Sequence, residues 1–161
     1  TARPDLVDSQ VCHIKGRTTL GGLGEVRVRP VETRCETALR MAMWVEHGLQ
    51  PAARNIFGQP LGAIDHFSSY NCRAIRTTQG DTNKMSTHAT ADAIDISGFR
   101  LADGQRISLL KDWDGSSENQ TFLRAARDTA CTWFGTPLGP DYNRLHRDHF
   151  HLQNTGRGTC R

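Results

Sequence analysis

Long apolar runs are absent from this sequence of 161 residues. No stretch approaches the roughly 18 consecutive apolar residues that a transmembrane helix requires, so we expect no membrane anchor. The N-terminus also lacks the charged and then apolar segment of a signal peptide. Because the first residue is Thr1 rather than Met, we expect that a targeting segment has already been removed.

Repeats, low-complexity tracts and long Pro- or Gly-rich linkers are absent as well, so nothing in the sequence marks a domain boundary. A chain of this length with 37% apolar residues can bury one hydrophobic core but hardly two. We therefore expect a single domain over residues 1–161, in which about the first 30 residues form an N-terminal extension packed on the rest.

A strong charge of one sign is also lacking. The formal net charge is only +3, and the arginines are dispersed rather than gathered into one run. Domains that bind nucleic acid usually carry a concentrated basic patch. We therefore expect no nucleic-acid partner.

The five cysteines form no C-x-x-C pair, which argues against a structural zinc knuckle. They are Cys12, Cys35, Cys72, Cys131 and Cys160. Widely spaced cysteines favour disulfides and hence an oxidising compartment, so we expect a periplasmic or secreted protein. The odd number leaves at least one thiol free or paired with another molecule. The connectivity stays open, and buried reduced cysteines in a cytoplasmic protein are the alternative.

The spacing of apolar residues predicts two helices, over Glu32–Phe57 and Ser117–Phe134. Thr33 is a candidate cap for the first helix, and Pro51 is expected to kink or divide it. Strands are predicted at Ala63–Arg73, Ala91–Leu101, Arg106–Leu110 and Asp148–Gln153, with a loop over Thr136–Asn143. A turn at residues 102–104, which includes Gly104, predicts that two of these strands form a hairpin. This order of elements indicates an α+β fold.

Two short stretches hold histidines and carboxylates at useful spacings. In the first, His88 precedes Asp95 by seven positions, so that a loop can supply the imidazole and the following strand the carboxylate. Because side chains alternate along a strand, Asp95 should lie on the face opposite Ile94 and Ile96.

The second stretch is Asp148-His149-Phe150-His151-Leu152. As a strand, it would project His149 and His151 from one face, with Phe150 and Leu152 packed behind them. Two histidines and one aspartate make a three-ligand metal site with an open position, the arrangement of catalytic rather than structural zinc. Such a metal activates water and polarises a carbonyl, so that an amide can be hydrolysed at neutral pH.

These stretches resemble known motifs. Ser86-x-His88 followed by Ala91-x-Ala93-x-Asp95 resembles the S-x-H-x-x-G-x-A-x-D motif of D-Ala-D-Ala carboxypeptidases, with Ala91 at the position of its Gly. His149-x-His151 resembles the H-x-H motif of the lysostaphin, D-Ala-D-Ala peptidase and hedgehog-like zinc fold.

From about Cys35 onward, the chain also resembles the bacterial extensin-like C-terminal family, although it has no Pro-rich extensin repeat. Beside the two metal-site stretches, the similarity includes Ser69-Tyr70-Asn71-Cys72-Arg73, residues 101–104, Asp112-Trp113, Cys131 and residues 134–143.

The resemblance implies a zinc-dependent peptidase of peptidoglycan. It implies one Zn²⁺ ion held by His88, Asp95 and His151, on an antiparallel sheet with helices packed on one side. The substrate would be a peptidoglycan peptide, cut by carboxypeptidase or endopeptidase action. Whether the role is housekeeping or attack as a secreted antibacterial effector, and whether an inhibitor or immunity protein binds the chain, is left open.

The resemblance also offers roles for five other residues. His149 and Asp148 both match positions of the catalytic base in this superfamily. Strand alternation favours His149, because Asp148 should point away and orient a neighbouring group. Arg73 is a candidate for holding the oxyanion or a substrate carboxylate. Tyr70, Arg73 and Ser86 are candidate substrate-binding residues.

The remaining histidines and tryptophans have no partner pattern. We expect His146 in a solvated loop, and His13, His47 and His66 in structural roles. The tryptophans Trp44, Trp113 and Trp133 are predicted core residues.

Two other functions fit the same residues. Two histidines and a carboxylate also form the facial triad of non-haem Fe(II) oxygenases, although the spacing of His88 and Asp95 differs from the usual His-x-Asp. The second alternative is a cell-wall binding module that retains zinc without catalysis.

Overall fold

The computed structural model describes residues 1–156 and 158–161. It is an α+β fold in one domain. The strands are β1 Leu6–Val7, β2 His13–Ile14, β3 Arg17–Leu23, β4 Val26–Arg34, β5 Leu61–His66, β6 Ala74–Thr77, β7 Gly80–Met85, β8 Ala93–Leu101, β9 Arg106–Ser108, β10 Thr136–Leu138 and β11 Phe150–Gln153. The α-helices are α1 Cys35–Trp44, α2 Gln50–Phe57, α3 Leu109–Asp112 and α4 Glu118–Trp133.

The main sheet has its strands in the order β10-β11-β8-β5-β4-β3, and β9 also pairs with β8. Strand β8 lies at its centre. It pairs with β5 along one edge, and with β11 and then β9 along the other. The sheet is mixed rather than antiparallel as we predicted, since β4 and β5 run parallel. The chain between them passes through helices α1 and α2, and such a crossover is what returns a strand in the same direction.

The N-terminal part belongs to this sheet. Residues 17–34 form β3 and β4, which pair with each other, and β4 pairs with β5. The part up to about residue 30, which we expected to be an extension packed on the rest of the domain, thus contributes strands to the main sheet. Ahead of it, β1 and β2 form a small hairpin.

The first predicted helix begins later than Glu32, because Glu32 to Arg34 belong to β4. Thr33 does not cap it, since its hydroxyl is hydrogen-bonded to that of Ser69 at 2.7 Å. The predicted division of this helix near Pro51 is present. A π-helical segment, Val45–Leu49, separates α1 from α2, and Pro51 lies in the first turn of α2, where a missing N–H costs little.

Other predicted elements are present with shifted bounds. Helix α4 agrees within one residue at each end, and the β8–β9 hairpin is confirmed, with Gly104 at a φ of 94°. The strand predicted at Ala63–Arg73 ends at His66, and the one at Arg106–Leu110 ends at Ser108, where α3 follows. The last strand begins at Phe150 rather than Asp148. The expected loop over Thr136–Asn143 contains the short strand β10.

The core joins the sheet to the helices. Trp44 of α1 is fully buried and contacts Phe99 of β8 edge to face, and Phe99 contacts Phe122 of α4 in the same way. Aromatic pairs in this arrangement contribute attraction beyond the area they bury. Trp113 is also buried, whereas Trp133 is half-buried beside His47. The central strand β8 is therefore held from behind by the helical layer.

Two disulfides cross-link the domain, Cys12–Cys72 and Cys131–Cys160, and Cys35 is a free, exposed thiol. Their Cα–Cα distances of 5.5 and 5.8 Å lie in the usual range for disulfides. The disulfides indicate an oxidising, extracellular compartment. In the part of the chain that the structure describes, no helix is long and apolar enough to cross a membrane.

The Cys12–Cys72 disulfide closes a span of 60 residues. Its loss should raise the conformational entropy of the unfolded chain and so stabilise the unfolded state. We expect Cys12→Ser/Cys72→Ser to lower the free energy of unfolding by about 4 kcal/mol, measured by urea unfolding without reductant. Cys35→Ser is the control and should leave this free energy nearly unchanged. Equal losses in both variants would contradict the assigned pairing.

Candidate metal centre

Asp95 and His151 are direct neighbours across strands β8 and β11. On either side of this pair, Ile94 and Ile96 of β8 are fully buried in the core. Because alternate residues face opposite sides of a sheet, Asp95 and His151 project together from the other side. The predicted alternation is confirmed on β8 and for Phe150, His151 and Leu152 on β11, whereas His149 precedes that strand.

His88 comes from a short 3₁₀ turn, Thr87–Thr90, that precedes β8. The Ser86 hydroxyl accepts a hydrogen bond from the His88 amide at 3.3 Å and so caps the turn. Ala91 ends the turn at a φ of 50°, in the left-handed region that favours glycine.

The His88 ring is oriented by the main chain. Its Nδ1 lies 2.8 Å from the carbonyl oxygen of Ser69, which can only accept, so Nδ1 carries the proton. The lone pair is therefore on Nε2, which faces Asp95 and His151. An outer hydrogen bond that fixes the tautomer in this way is typical of histidines that bind metals. Ser69 was not predicted, because a carbonyl contact leaves no trace in the side-chain pattern.

Three atoms of these residues converge. His88 Nε2 lies 3.2 Å from Asp95 Oδ1 and 3.0 Å from His151 Nδ1, and His151 Nδ1 lies 3.0 Å from Asp95 Oδ1. Ligands at about 2.0–2.1 Å from a tetrahedral metal are roughly 3.3–3.4 Å apart. The triangle is thus close to the required size, and the cluster could hold a metal ion.

The electrostatics of Asp95 suit this role. Burial acts to raise the pKa of its carboxyl, but the adjacent imidazoles of His151 and His88 outweigh burial and hold the pKa well below its usual range. Asp95 is therefore ionised at neutral pH, the state in which a carboxylate binds a metal.

His149 and Asp148 lie beside the triangle. His149 Nε2 is 3.7 Å from Asp95 Oδ1, and its Nδ1 donates to Asp148 Oδ1 at 2.8 Å. His149 therefore points toward the ligands although it precedes the last strand. Asp148 lies behind it and lines a neighbouring groove with Phe67.

His146 belongs to the site and not to a solvated loop as we expected. A 3₁₀ turn, Arg144–His146, folds it back so that its ring centre lies 5.2 Å from that of His149 and 5.9 Å from that of His151. Burial lowers the pKa of His146 to about 4, and the charges of His149 and His151 act in the same direction. The spacing His146-x-x-His149-x-His151 was the signal that could have revealed it.

A cleft of about 700 Å³ opens in front of the ligands. Arg73 lines it, with Nη1 donating to the Ala74 carbonyl at 3.1 Å, and Ser86 lines it as well.

Tyr70 is not among the residues that line this cleft. Its hydroxyl donates to the Asp8 carboxylate, and this bond raises the pKa of Tyr70 to about 12. Gln153 of β11 also lines the cleft and was not predicted.

The other histidines lie outside this cleft. His66 is buried, with Nε2 at 2.8 Å from the Arg29 carbonyl oxygen. His47 packs against Trp133, and His13 lies in β2.

Removal of one imidazole from the triangle should abolish tight metal binding. We expect the wild-type protein to take up one divalent ion. In His151→Ala, affinity should fall by more than the roughly 100-fold that loss of an outer-shell partner can cause. Titration calorimetry after chelator treatment measures both, and His47→Ala is the matched control. Unchanged affinity in His151→Ala would rule out the triangle as the binding site.

Comparison with known proteins agrees with the family similarity noted in the sequence. No curated protein and no solved structure matches the chain. The profile of the family described as "Extensin-like protein C-terminus" matches residues 1–161. The chain therefore belongs to the extensin-like C-terminus family.

Proposed function

We propose that this chain is a zinc peptidase that hydrolyses peptide bonds in bacterial peptidoglycan, with one Zn²⁺ held by His88, Asp95 and His151. The observation that carries the proposal is the geometry of the site. Three ligand atoms converge, the residues of two of them, Asp95 and His151, line an open cleft, and an oriented imidazole lies beside them. A structural metal site would instead be closed by a fourth protein ligand.

Zinc is favoured over iron by two features. The disulfides indicate an oxidising compartment, in which a redox-inert metal is advantageous, and the six residues between His88 and Asp95 differ from the His-x-Asp spacing of common oxygenases. Iron with oxygen consumption would instead favour the facial-triad oxygenase.

His149 is the residue best placed to move a proton. Its Nδ1–H is held by Asp148, so in the neutral ring Nε2 has the free lone pair, and Nε2 faces the ligand side of the site. A zinc ion at this site would supply activation of water and polarisation of the scissile carbonyl. His149 would accept the proton of the attacking water and return one to the leaving amine. Asp148 would fix the tautomer and stabilise the charged ring.

During hydrolysis, the negative charge that develops on the carbonyl oxygen of the scissile bond must be stabilised. Arg73 lies in the cleft wall, and its contact with the Ala74 carbonyl leaves other N–H groups available. A guanidinium in this position would stabilise the oxyanion. Tyr70 is bound to Asp8 and is not part of this proposal, while Ser86 contributes by holding the His88 turn.

The substrate assignment depends on resemblance. Two stretches carry it, Ser86-x-His88 to Asp95 and His149-x-His151. They resemble motifs of D-Ala-D-Ala peptidases, which act on cell-wall peptides, and of the hedgehog-like zinc fold, which shares the scaffold of those peptidases. A peptidoglycan substrate agrees with the compartment that the disulfides indicate, and we infer periplasmic or secreted localisation.

The role of His149 can be tested without disturbing the metal. We expect His149→Ala to bind zinc but to hydrolyse purified muropeptides about 10²–10⁴-fold more slowly, the usual contribution of a general base. Asp148→Asn should lower the rate less, because the imidazole stays in place. Mass analysis of the fragments, with and without a chelator, measures the rates, and His47→Ala is the control.

Full activity in His149→Ala would exclude it as the base. If the zinc-loaded wild-type protein left every muropeptide uncut but still sedimented with peptidoglycan, the chain would be a binding module and the peptidase proposal would fail.

A further inference from the structure

A hairpin outside the main sheet forms one wall of the cleft. Strands β6 and β7 pair antiparallel, and the hairpin is closed at its base by a hydrogen bond from the Ser86 amide to the Arg73 carbonyl, 3.0 Å. Residues along its length line the cleft, from Ile75 and Arg76 to Gln79 near the turn. The base adjoins the His88 turn, so the rest of the hairpin extends away from the metal centre.

The cleft has an excess of positive charge. Arg73 and Arg76 both line it, and Asp95 is the one carboxylate among its described lining residues. Asp95 faces His88 and His151, so its charge is not available to either guanidinium. A bound divalent cation would make the cleft more positive still.

Arg76 differs from the six arginines that form ion pairs within the described residues. Arg17, Arg34, Arg100 and Arg124, for example, are each ion-paired with an acid. Within residues 1–156 and 158–161, no carboxylate oxygen lies within 4.0 Å of the Arg76 guanidinium, although Asp81 is its register partner on β7. An exposed guanidinium without an acidic partner in the protein can bind a carboxylate of a ligand.

The two arginines lie at different depths. Arg73 is half-buried at the base of the hairpin and is held by the Ala74 carbonyl. Arg76 is three residues farther along, at most about 10 Å at the rise of an extended chain. A peptide with its scissile bond at the metal centre that extends along the hairpin would therefore bring a group more remote from that bond to Arg76 than to Arg73.

We propose that Arg76 is a specificity residue that binds a free carboxylate of the substrate, remote from the bond that is cut. The proposal rests on the proposed peptidase function and narrows its substrate class to acidic peptides. The carboxylate is that of an acidic side chain or of the chain terminus. The amidated form of the same peptide should bind more weakly, because a carboxamide cannot pair with a guanidinium as an ion.

The test compares peptides that differ in one group. Muropeptide-derived peptides are prepared with each carboxylate in turn converted to a carboxamide, and kcat and KM are measured for the zinc-loaded protein. We expect amidation at one position to raise KM roughly tenfold, as the loss of one charge-assisted contact does, with kcat nearly unchanged. Arg76→Gln should show the higher KM for both forms and so lose the discrimination.

Lys84→Gln is the matched control. It removes the same charge from the same hairpin, but Lys84 is exposed on β7 and is not among the lining residues of the cleft. It should retain the full preference for the carboxylate. Equal loss of preference in Lys84→Gln and Arg76→Gln, or an unchanged preference in Arg76→Gln, would overturn the proposal.

Binding separates this proposal from the peptidase proposal. If no peptide is cut, titration calorimetry of the same peptides with the zinc-loaded protein still measures the preference for carboxylate over carboxamide. A preference that disappears in Arg76→Gln would then support the role of Arg76 in a protein without peptidase activity. Equal affinity for both forms in the wild-type protein would refute it.

Discussion

The pairing of Asp95 with His151 across two adjacent strands is the constraint on which the site depends. Neighbouring strands hold opposed side chains at a fixed separation, so the carboxylate and the imidazole are brought together by the main-chain hydrogen bonds of the sheet and not by loops. The core side of the same strands is filled by Ile94, Ile96 and Phe150, so a slip of one residue would expose these apolar side chains. The register that builds the core is thus also the register that builds the site.

The third ligand reaches the pair through a segment that is fixed from several directions. His88 is held by the Ser69 carbonyl, and the loop with Ser69 continues to Cys72, which is bonded to Cys12 near the N-terminus. The left-handed residue Ala91 ends the turn, and the Thr37 hydroxyl of α1 donates to its carbonyl at 2.8 Å. The N-terminal segment and the first helix therefore both contribute to the position of one histidine, far from it in sequence.

The local part of this structure could be predicted from the sequence, and the non-local part could not. Alternation along a strand depends only on the chain itself, so the position of Asp95 on the strand face opposite Ile94 and Ile96 was correctly predicted. The direction of β5 relative to β4 and the inclusion of residues 17–34 in the sheet depend on pairing between distant segments, which no spacing reveals. His146 was misplaced for a related reason: a turn, and not a strand, brings it to the site.

A metal ion bound to His88, Asp95 and His151 should be visible by diffraction from zinc-soaked crystals, recorded above and below the zinc absorption edge. We expect one strong anomalous peak at about 2.0–2.2 Å from His88 Nε2, Asp95 Oδ1 and His151 Nδ1, the usual zinc distances. A zinc peak bound by other residues, with these three side chains hydrogen-bonded only to one another, would contradict this expectation.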